Sequence, residues 1–455
     1  MAYLFKNILP YALTGSLLLL GGCASQLDVK PVNTIDAGAA VATSGDVAAL
    51  LVGAYDALGD LDVYGGNIQR DADLLGDNGE IFFDGTFVAP DEIFRKSMLV
   101  NNGQAEVTWL DSYRAINIAN NVLANLDVVT EGDRARVEGE AKFIRGTLYF
   151  ELVRNYAKAW TDGTPSANPG VPLVLEPTVE ITEQAKVSRN SVSEVYAQVI
   201  KDLTEAETKL PESNGFFATK YAAAGMLSRV YMMQQKYPEA ANAATRVIDS
   251  KKYSLVNTAE VFDLRVNQNG FNTAEDIFAI QLTSQDGLNA LNTFYGAPEY
   301  GGRGDILIED AHLALYENGD RRAELFYVAE NGNTYTSKWI NQYGNIKILR
   351  LAEMYLTRAE ANFRNDSSIG ASPASDINLI RARAGLSAIP ATSLTIGAIM
   401  KERHLELAFE GHLIHDIKRT KGTVGGLAFD SPKLVYPIPL RETDANANLT
   451  QNPGY

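Results

Sequence analysis

The sequence predicts a mostly α fold, a tetratricopeptide-like helical-repeat scaffold interrupted by one loop-rich, partly β insertion. Three observations carry that prediction. Apolar residues recur at helical spacing through most of the 455 residues. Leu227, Ser228, Tyr231, Ala240 and Ala244 match the offsets of a tetratricopeptide repeat, in which small residues let two antiparallel helices approach closely. From about residue 256 to 345 the helical pattern breaks into runs rich in Gly, Asn and Asp.

The bulk properties narrow the function classes. Hydrophobic content of 46% and charged content of 21% fit a globular chain. The formal charge is −16 and no basic run occurs, which argues against a nucleic-acid partner.

The N-terminus reads as a targeting segment. Lys6 precedes an apolar run from Ile8 to Leu20, broken by Pro10 and Gly15. That run falls short of the ~20 apolar residues a spanning helix needs. It closes on Leu20-Gly21-Gly22-Cys23, the pattern of a bacterial lipobox. Residues 1–22 are therefore expected to be a lipoprotein signal peptide, with Cys23 the lipidation site. Cys23 is the only cysteine, so no disulfide can form within one chain. Attachment to the membrane is expected by lipid anchor only, durable if several acyl chains are added. Residues 23–45 are small and polar and read as a tether.

The remaining elements follow in order. Val47 to Leu58 has helical spacing. The stretch from Val63 to Glu92 is rich in Gly and Asp and predicts a loop. Asp71, Asp73, Gly76 and Glu80 invite a calcium-loop reading, but counting from Asp71 puts Phe82 where the twelfth-position Glu is required. A solvated acidic loop is the better reading. Ala105 to Asp127 predicts a long helix, with Trp109 in its core face. Another helix covers Glu140 to Ala157. Ser191 is a candidate N-cap with Glu194 three residues on, a capping-box pattern. The helix pair around Leu227 and Ala240 follows. Looser copies of the repeat lie at Leu351, Ala352 and Tyr355, and at Gly146 and Tyr149.

Inside the insertion, Asp276 to Leu282 reads as a strand and Asn331-Gly332 as a hairpin turn. From Lys401 the spacing predicts one amphipathic helix, with Leu405, Ala408, Phe409, His412 and Ile417 on a shared stripe and Lys401, Glu402, Glu410 and Lys418 supplying charge elsewhere. Pro437, Pro439 and Pro453 exclude helix and interior strand from the tail. Val435, Tyr436, Ile438 and Leu440 are too apolar to hang free, which predicts a strap lying along the domain.

The C-terminal wording also carries a resemblance. Glu402, Arg403, Glu406, Leu407, Glu410, Gly411, Asp416, Ile417 and Arg419 resemble the E-R-x-x-E-L-x-x-E-G-x-R-x-x-D-L-x-R segment of the SusD-like (RagB/SusD) lipoproteins, with His412 where that family usually has Arg. The P-I-P run and Gln451-Asn452-Pro453-Gly454-Tyr455 resemble that family's ending. Cys23, Leu27, Asp28 and Pro31 resemble its opening, and Trp109, Tyr113, Ile116 and Asn120 one of its helices. Lys338-Trp339 resembles a family position in a strand, where packing is expected.

The resemblance implies one intertwined domain over residues 46–455. It implies a non-enzymatic outer-membrane lipoprotein, exposed at the cell surface, that captures an oligosaccharide or polysaccharide and delivers it to a TonB-dependent SusC-like transporter. A sugar site pairs aromatic planes with amide, carboxylate and guanidinium groups. Two loops have that mixture: Asn78, Phe82, Phe83 and Asp84, and Tyr295, Tyr300 and Arg303. The insertion is expected to form the ligand-binding face. No catalytic motif assembles: G-x-S-x-G, P-loop and dinucleotide patterns are missing, and no cofactor or metal is expected. Three alternatives stand beside this reading. They are a peptide receptor, a metal-dependent hydrolase using His412 and His415 with Glu406 or Asp416, and a helical-repeat scaffold for other proteins.

Overall fold

Capped helices stacked through small side chains build the frame. The computed structural model describes residues 41–180 and 182–455, so the signal segment, Cys23 and most of the tether lie outside the described residues. The first half is helical: α1 (Ser44–Leu58), α2 (Asn67–Gly76), α3 (Val88–Phe94), α4 (Gly103–Ala124), α5 (Glu131–Tyr156), α6 (Val192–Lys209), α7 (Lys220–Met233) and α8 (Tyr237–Asp249). The short strand β1 (Ile81–Phe83) lies between α2 and α3.

Successive helices from α4 to α8 pack side by side, and α11 (Leu351–Arg364) extends the stack through α8 to α12 (Pro373–Arg383). Small residues make these contacts close. Ser228 and Ala240 are fully buried, and a Cβ added to Gly146 would lie 3.1 Å from the Asp202 side chain on α6. Ser191 caps α6 with Glu194 completing the capping box. The mostly helical, repeat-like scaffold is thus observed. Elements from Thr43 to Tyr455 pack as one unit.

The insertion holds β2 (Asp276–Ile280), α9 (Ala290–Tyr295), β3 (Ile306–Ile308), α10 (Asp310–Leu313), β4 (Phe326–Val328) and β5 (Thr334–Thr336), and β6 (Ile346–Arg350) follows directly after it. All its pairings are antiparallel and two-stranded. β2 pairs with β6, and β4 with β5 across a turn in which Gly332 takes φ +83°. β1 reaches in from the N-terminal half to pair with β3. Trp339 is buried as expected, in a 3-10 turn rather than a strand.

Three expectations need correction. The stretch from Val63 to Glu92 is not loop: it contains α2, β1 and the start of α3, and Asp71 and Asp73 are buried on α2. One is paired locally and the other across the fold. Arg70 pairs with Asp71 at 2.6 Å, and Gly411 N donates to Asp73 at 3.0 Å.

The second correction concerns the helix from Lys401. It breaks into α13 (Ile396–Glu406) and α14 (Leu413–Thr420). Phe409 at φ +62° and Gly411 at φ +78° turn the chain between them, and a Cβ on Gly411 would sit 2.7 Å from Gln69 Cα. Glu402, Glu410 and Lys418, expected to supply charge away from the apolar stripe, are themselves buried. Arg350 reaches Glu275 at 2.9 Å, Glu406 at 2.6 Å and Glu410 at 2.7 Å, while Lys338 reaches Glu410 at 2.8 Å. Arg403 and Arg419 share Asp416, each at 2.8 Å. Burial pushes the Glu406 and Glu410 carboxyls up, but the surrounding arginines, joined at Glu410 by Lys338, outweigh it and hold both below their ordinary value.

The third correction is in the tail. After β7 (Thr423–Val424) and β8 (Leu427–Ala428), the chain does lie along the scaffold, but Leu440 opens a short helix, α15 (Leu440–Ala445), directly after Pro439. Tyr436 N donates to Asn155 O at 2.9 Å, and Asn452 Nδ2 donates to Tyr156 O at 2.7 Å. Tyr455 Oη donates to Val435 O at 2.7 Å.

Candidate functional site

The β1–β3 pair brings together the two loops that the sequence nominates separately. Phe82 stands opposite Leu307 and Phe83 opposite Ile306. The bond from Asp84 N to Asp305 O, at 2.8 Å, continues the ladder. Alternation along a strand then sorts the two phenylalanines: Phe82 is 44% exposed, Phe83 only 2%. Beyond the strand, Arg303 crosses to the other loop. Its Nη2 donates to Thr86 Oγ1 at 3.2 Å, its Nε donates to Asp305 at 2.8 Å, and its Cζ lies 4.6 Å from the centre of the Phe87 ring. Phe87 is itself 46% exposed and rests against Phe294.

The nominated residues divide accordingly. Phe82, Asp84 and Arg303 are exposed on this face. Tyr300 is half-buried, its ring edge-on to Tyr327 at 5.3 Å. Asn78 is exposed but engaged, donating to Thr423 O and accepting from Gly425 N, which ties β7 and β8 to the loop. Phe83 and Tyr295 must be withdrawn as ligand platforms, because both rings are buried. Tyr295 ends α9 with no exposed surface, its hydroxyl 3.0 Å from Asp73 Oδ2. Burial raises the Asp73 carboxyl to about 8 against the hydrogen bonds from Tyr295 and Gly411. Sequence reasoning missed Phe87, although an aromatic following Asp84-Gly85-Thr86 in a turn was a usable signal.

Two clefts lie away from these loops. One of about 440 Å³ runs between α1 and β2, bordered by Leu61, Phe216, Phe217 and Leu288. Another, of about 560 Å³, is lined within the insertion by Phe262, Arg265 and Phe271.

The histidines fall into two groups. His412 is half-buried and His415 buried. Burial, reinforced by nearby cationic side chains such as Arg154 and Arg229, pushes both imidazoles well below their ordinary value. The helix break separates them from His404, and Glu406 and Asp416 are taken by arginines. They do not form the metal pair of the hydrolase alternative. His312 and His404 instead converge on Glu80, at 2.6 and 2.7 Å from its Oε2. Burial raises the Glu80 carboxyl, but the two imidazoles outweigh it and bring it down to about 2.

The fold defines the class: a helical-repeat scaffold with a loop-rich insertion, whose Arg303 lies over exposed Phe87 of the N-terminal half. The family follows from comparison. Residues 27–232 match a SusD-like family model described as "Starch-binding associating with outer membrane", and residues 314–428 match the SusD family model. SusD-like protein P2 of Formosa agariphila is 26% identical over 96% of this chain and 98% of its own length. A SusD superfamily protein from Bacteroides vulgatus superposes with TM-score 0.81 at 22% identity, covering 91% of this chain and 99% of that one. A laminarin-binding SusD-like protein superposes with TM-score 0.74 at 24% identity, covering 91% of this chain and 100% of that one. The chain belongs to the SusD-like family. Among the described residues, no helix is long and apolar enough to cross a membrane.

Proposed function

We propose that this protein is a non-enzymatic, cell-surface glycan-binding lipoprotein of the outer membrane. It is held there by Cys23 and hands its oligosaccharide to a TonB-dependent SusC-like transporter. The observation that carries the binding reading is the face built across β1 and β3, where exposed Phe87 lies against Arg303 and Thr86 accepts from it, with Phe82 and Asp84 exposed along the adjoining strand. Apolar sugar faces stack on such rings while hydroxyl groups pair with carboxylate and guanidinium. The starch-binding description of the family model and the laminarin-binding relative support glycan as the cargo. The motif from Glu402 to Arg419 is spent on internal ion pairs, which supports a binding role over a catalytic one.

Affinity electrophoresis against starch, laminarin and other polysaccharides tests this reading. Retardation by at least one glycan is expected. Phe82→Ala and Phe87→Ala should each weaken it about five- to tenfold, on the order of 1–1.4 kcal/mol, with melting temperature nearly unchanged because both rings are already half in solvent. If no glycan retards the protein and peptides bind instead, the cargo assignment falls. If a glycan binds and both variants retain it fully, the face is wrong and the clefts beside Phe216 or Phe271 become the place to look.

A further inference from the structure

We propose that Glu80, His312 and His404 form a binding site for a divalent transition metal of the zinc type, tying three distant chain segments together beneath β1. The donors come from the loop before β1, from α10 and from α13, and their ligating atoms all lie within 4.8 Å of one another. Two imidazole nitrogens and one carboxylate oxygen suit zinc or cobalt; calcium and magnesium prefer all-oxygen shells. This assignment does not rest on the glycan reading.

The surroundings are those of a built site. Glu309 N donates to Glu80 O at 3.0 Å, so the strand pairing itself holds the carboxylate against α10. Nδ1 of His312 faces Glu80 while its Nε2 lies 3.1 Å from Tyr316 Oη. Such an outer partner fixes the ring and its tautomer: with metal on Nδ1, the remaining proton sits on Nε2 and donates to Tyr316. The rings of Phe409 and Phe326 pack on His312 at 4.7 and 5.4 Å, keeping that side dry.

Glu80, His404 and Phe409 border a small cavity of about 30 Å³. That is room for a water, the usual fourth ligand where three come from protein. Zinc held about 2.0–2.1 Å from each donor spaces them roughly 3.3 Å apart. The present separations of 2.6 and 2.7 Å need only a small withdrawal of the half-buried Glu80 and His404 side chains.

The test uses tag-free full-length mature protein, stripped with a chelator and titrated with Zn²⁺ by calorimetry and with Co²⁺ by visible absorption. One equivalent of each is expected, with the intense cobalt bands of a four-coordinate site, and no competition from millimolar Ca²⁺ or Mg²⁺. His404→Gln and Glu80→Gln should weaken uptake at least about a hundredfold, since loss of outer-shell partners alone costs roughly 10–100-fold. No stoichiometric uptake by the unaltered protein overturns the proposal, whatever the variants do. Uptake that persists undiminished in a folded His404→Gln protein places the metal elsewhere and overturns it equally. A glycan-binding failure would leave both readouts intact.

Discussion

Asp73 shows how a single residue can set a pH response. Its carboxyl is buried against Tyr295 and Gly411 and raised from 3.8 to about 8. In the unfolded chain it is ionised above pH ~4, whereas in the folded protein it keeps its proton until about pH 8. Folding therefore takes up a proton between those values. This group lowers stability as pH rises through that window, by at most about 1.4 kcal/mol per pH unit, and the loss levels off above it. Asp73→Asn keeps an acceptor for Gly411 N and reverses the other bond, its amide nitrogen donating to the Tyr295 hydroxyl that donates to Asp73 Oδ2. Thermal melts should show its advantage over the unaltered protein growing from pH 5 to pH 8 and then flattening. The sequence did not reveal this. Asp73 sits among glycines and acids, and its burial depends on Gly411, 338 residues further along.

At the scale of elements, the sequence was legible where local rules decide. The capping box at Ser191, the hairpin turn at Asn331-Gly332 and the small-residue contact of α7 with α8 all follow from spacing. It was illegible where charge goes inside. The run from Lys401 has the period of one amphipathic helix, yet Glu402, Glu406 and Glu410 meet arginines from the insertion, β6 and α12, and the chain must turn at Phe409 to deliver them. The same blindness sorted Phe82 from Phe83 only once the strand pairing was known.

Arg350 is the hub of that network. Arg350→Met would leave Glu275, Glu406 and Glu410 short of a cation, at a cost of roughly 3–5 kcal/mol for a broken buried pair. Glu406 and Glu410 are held below 4.5, so they stabilise the fold above that pH and the benefit drains away as pH falls through their folded values. Urea titrations of the variant should show both the lower stability at pH 7 and a shallower loss below pH 4.5.

For the whole molecule, the tail matters as much as the repeats. Leu434, Tyr436 and Ile438 are buried, and each such side chain contributes about 1.5–3 kcal/mol. Losing all three, roughly 5–9 kcal/mol, together with the Asn452 bond to α5 would remove much of a net stability of ~5–15 kcal/mol. A chain ending at Ser431 should therefore melt at a markedly lower temperature than the whole chain, as read by circular dichroism. The repeat scaffold could be read from sequence because its contacts join neighbouring helices; the strap's destination on Asn155 and Tyr156 could not.

The strand pair under the proposed recognition face has a consequence for anyone re-engineering cargo preference. Arg303 and Thr86 are 217 residues apart yet belong to one surface. Transplanting only the first loop from a relative would set new aromatic rings beside an old arginine, in a register fixed by Phe82 and Leu307. The two segments form a single exchangeable cassette, and shuffling should move both or neither.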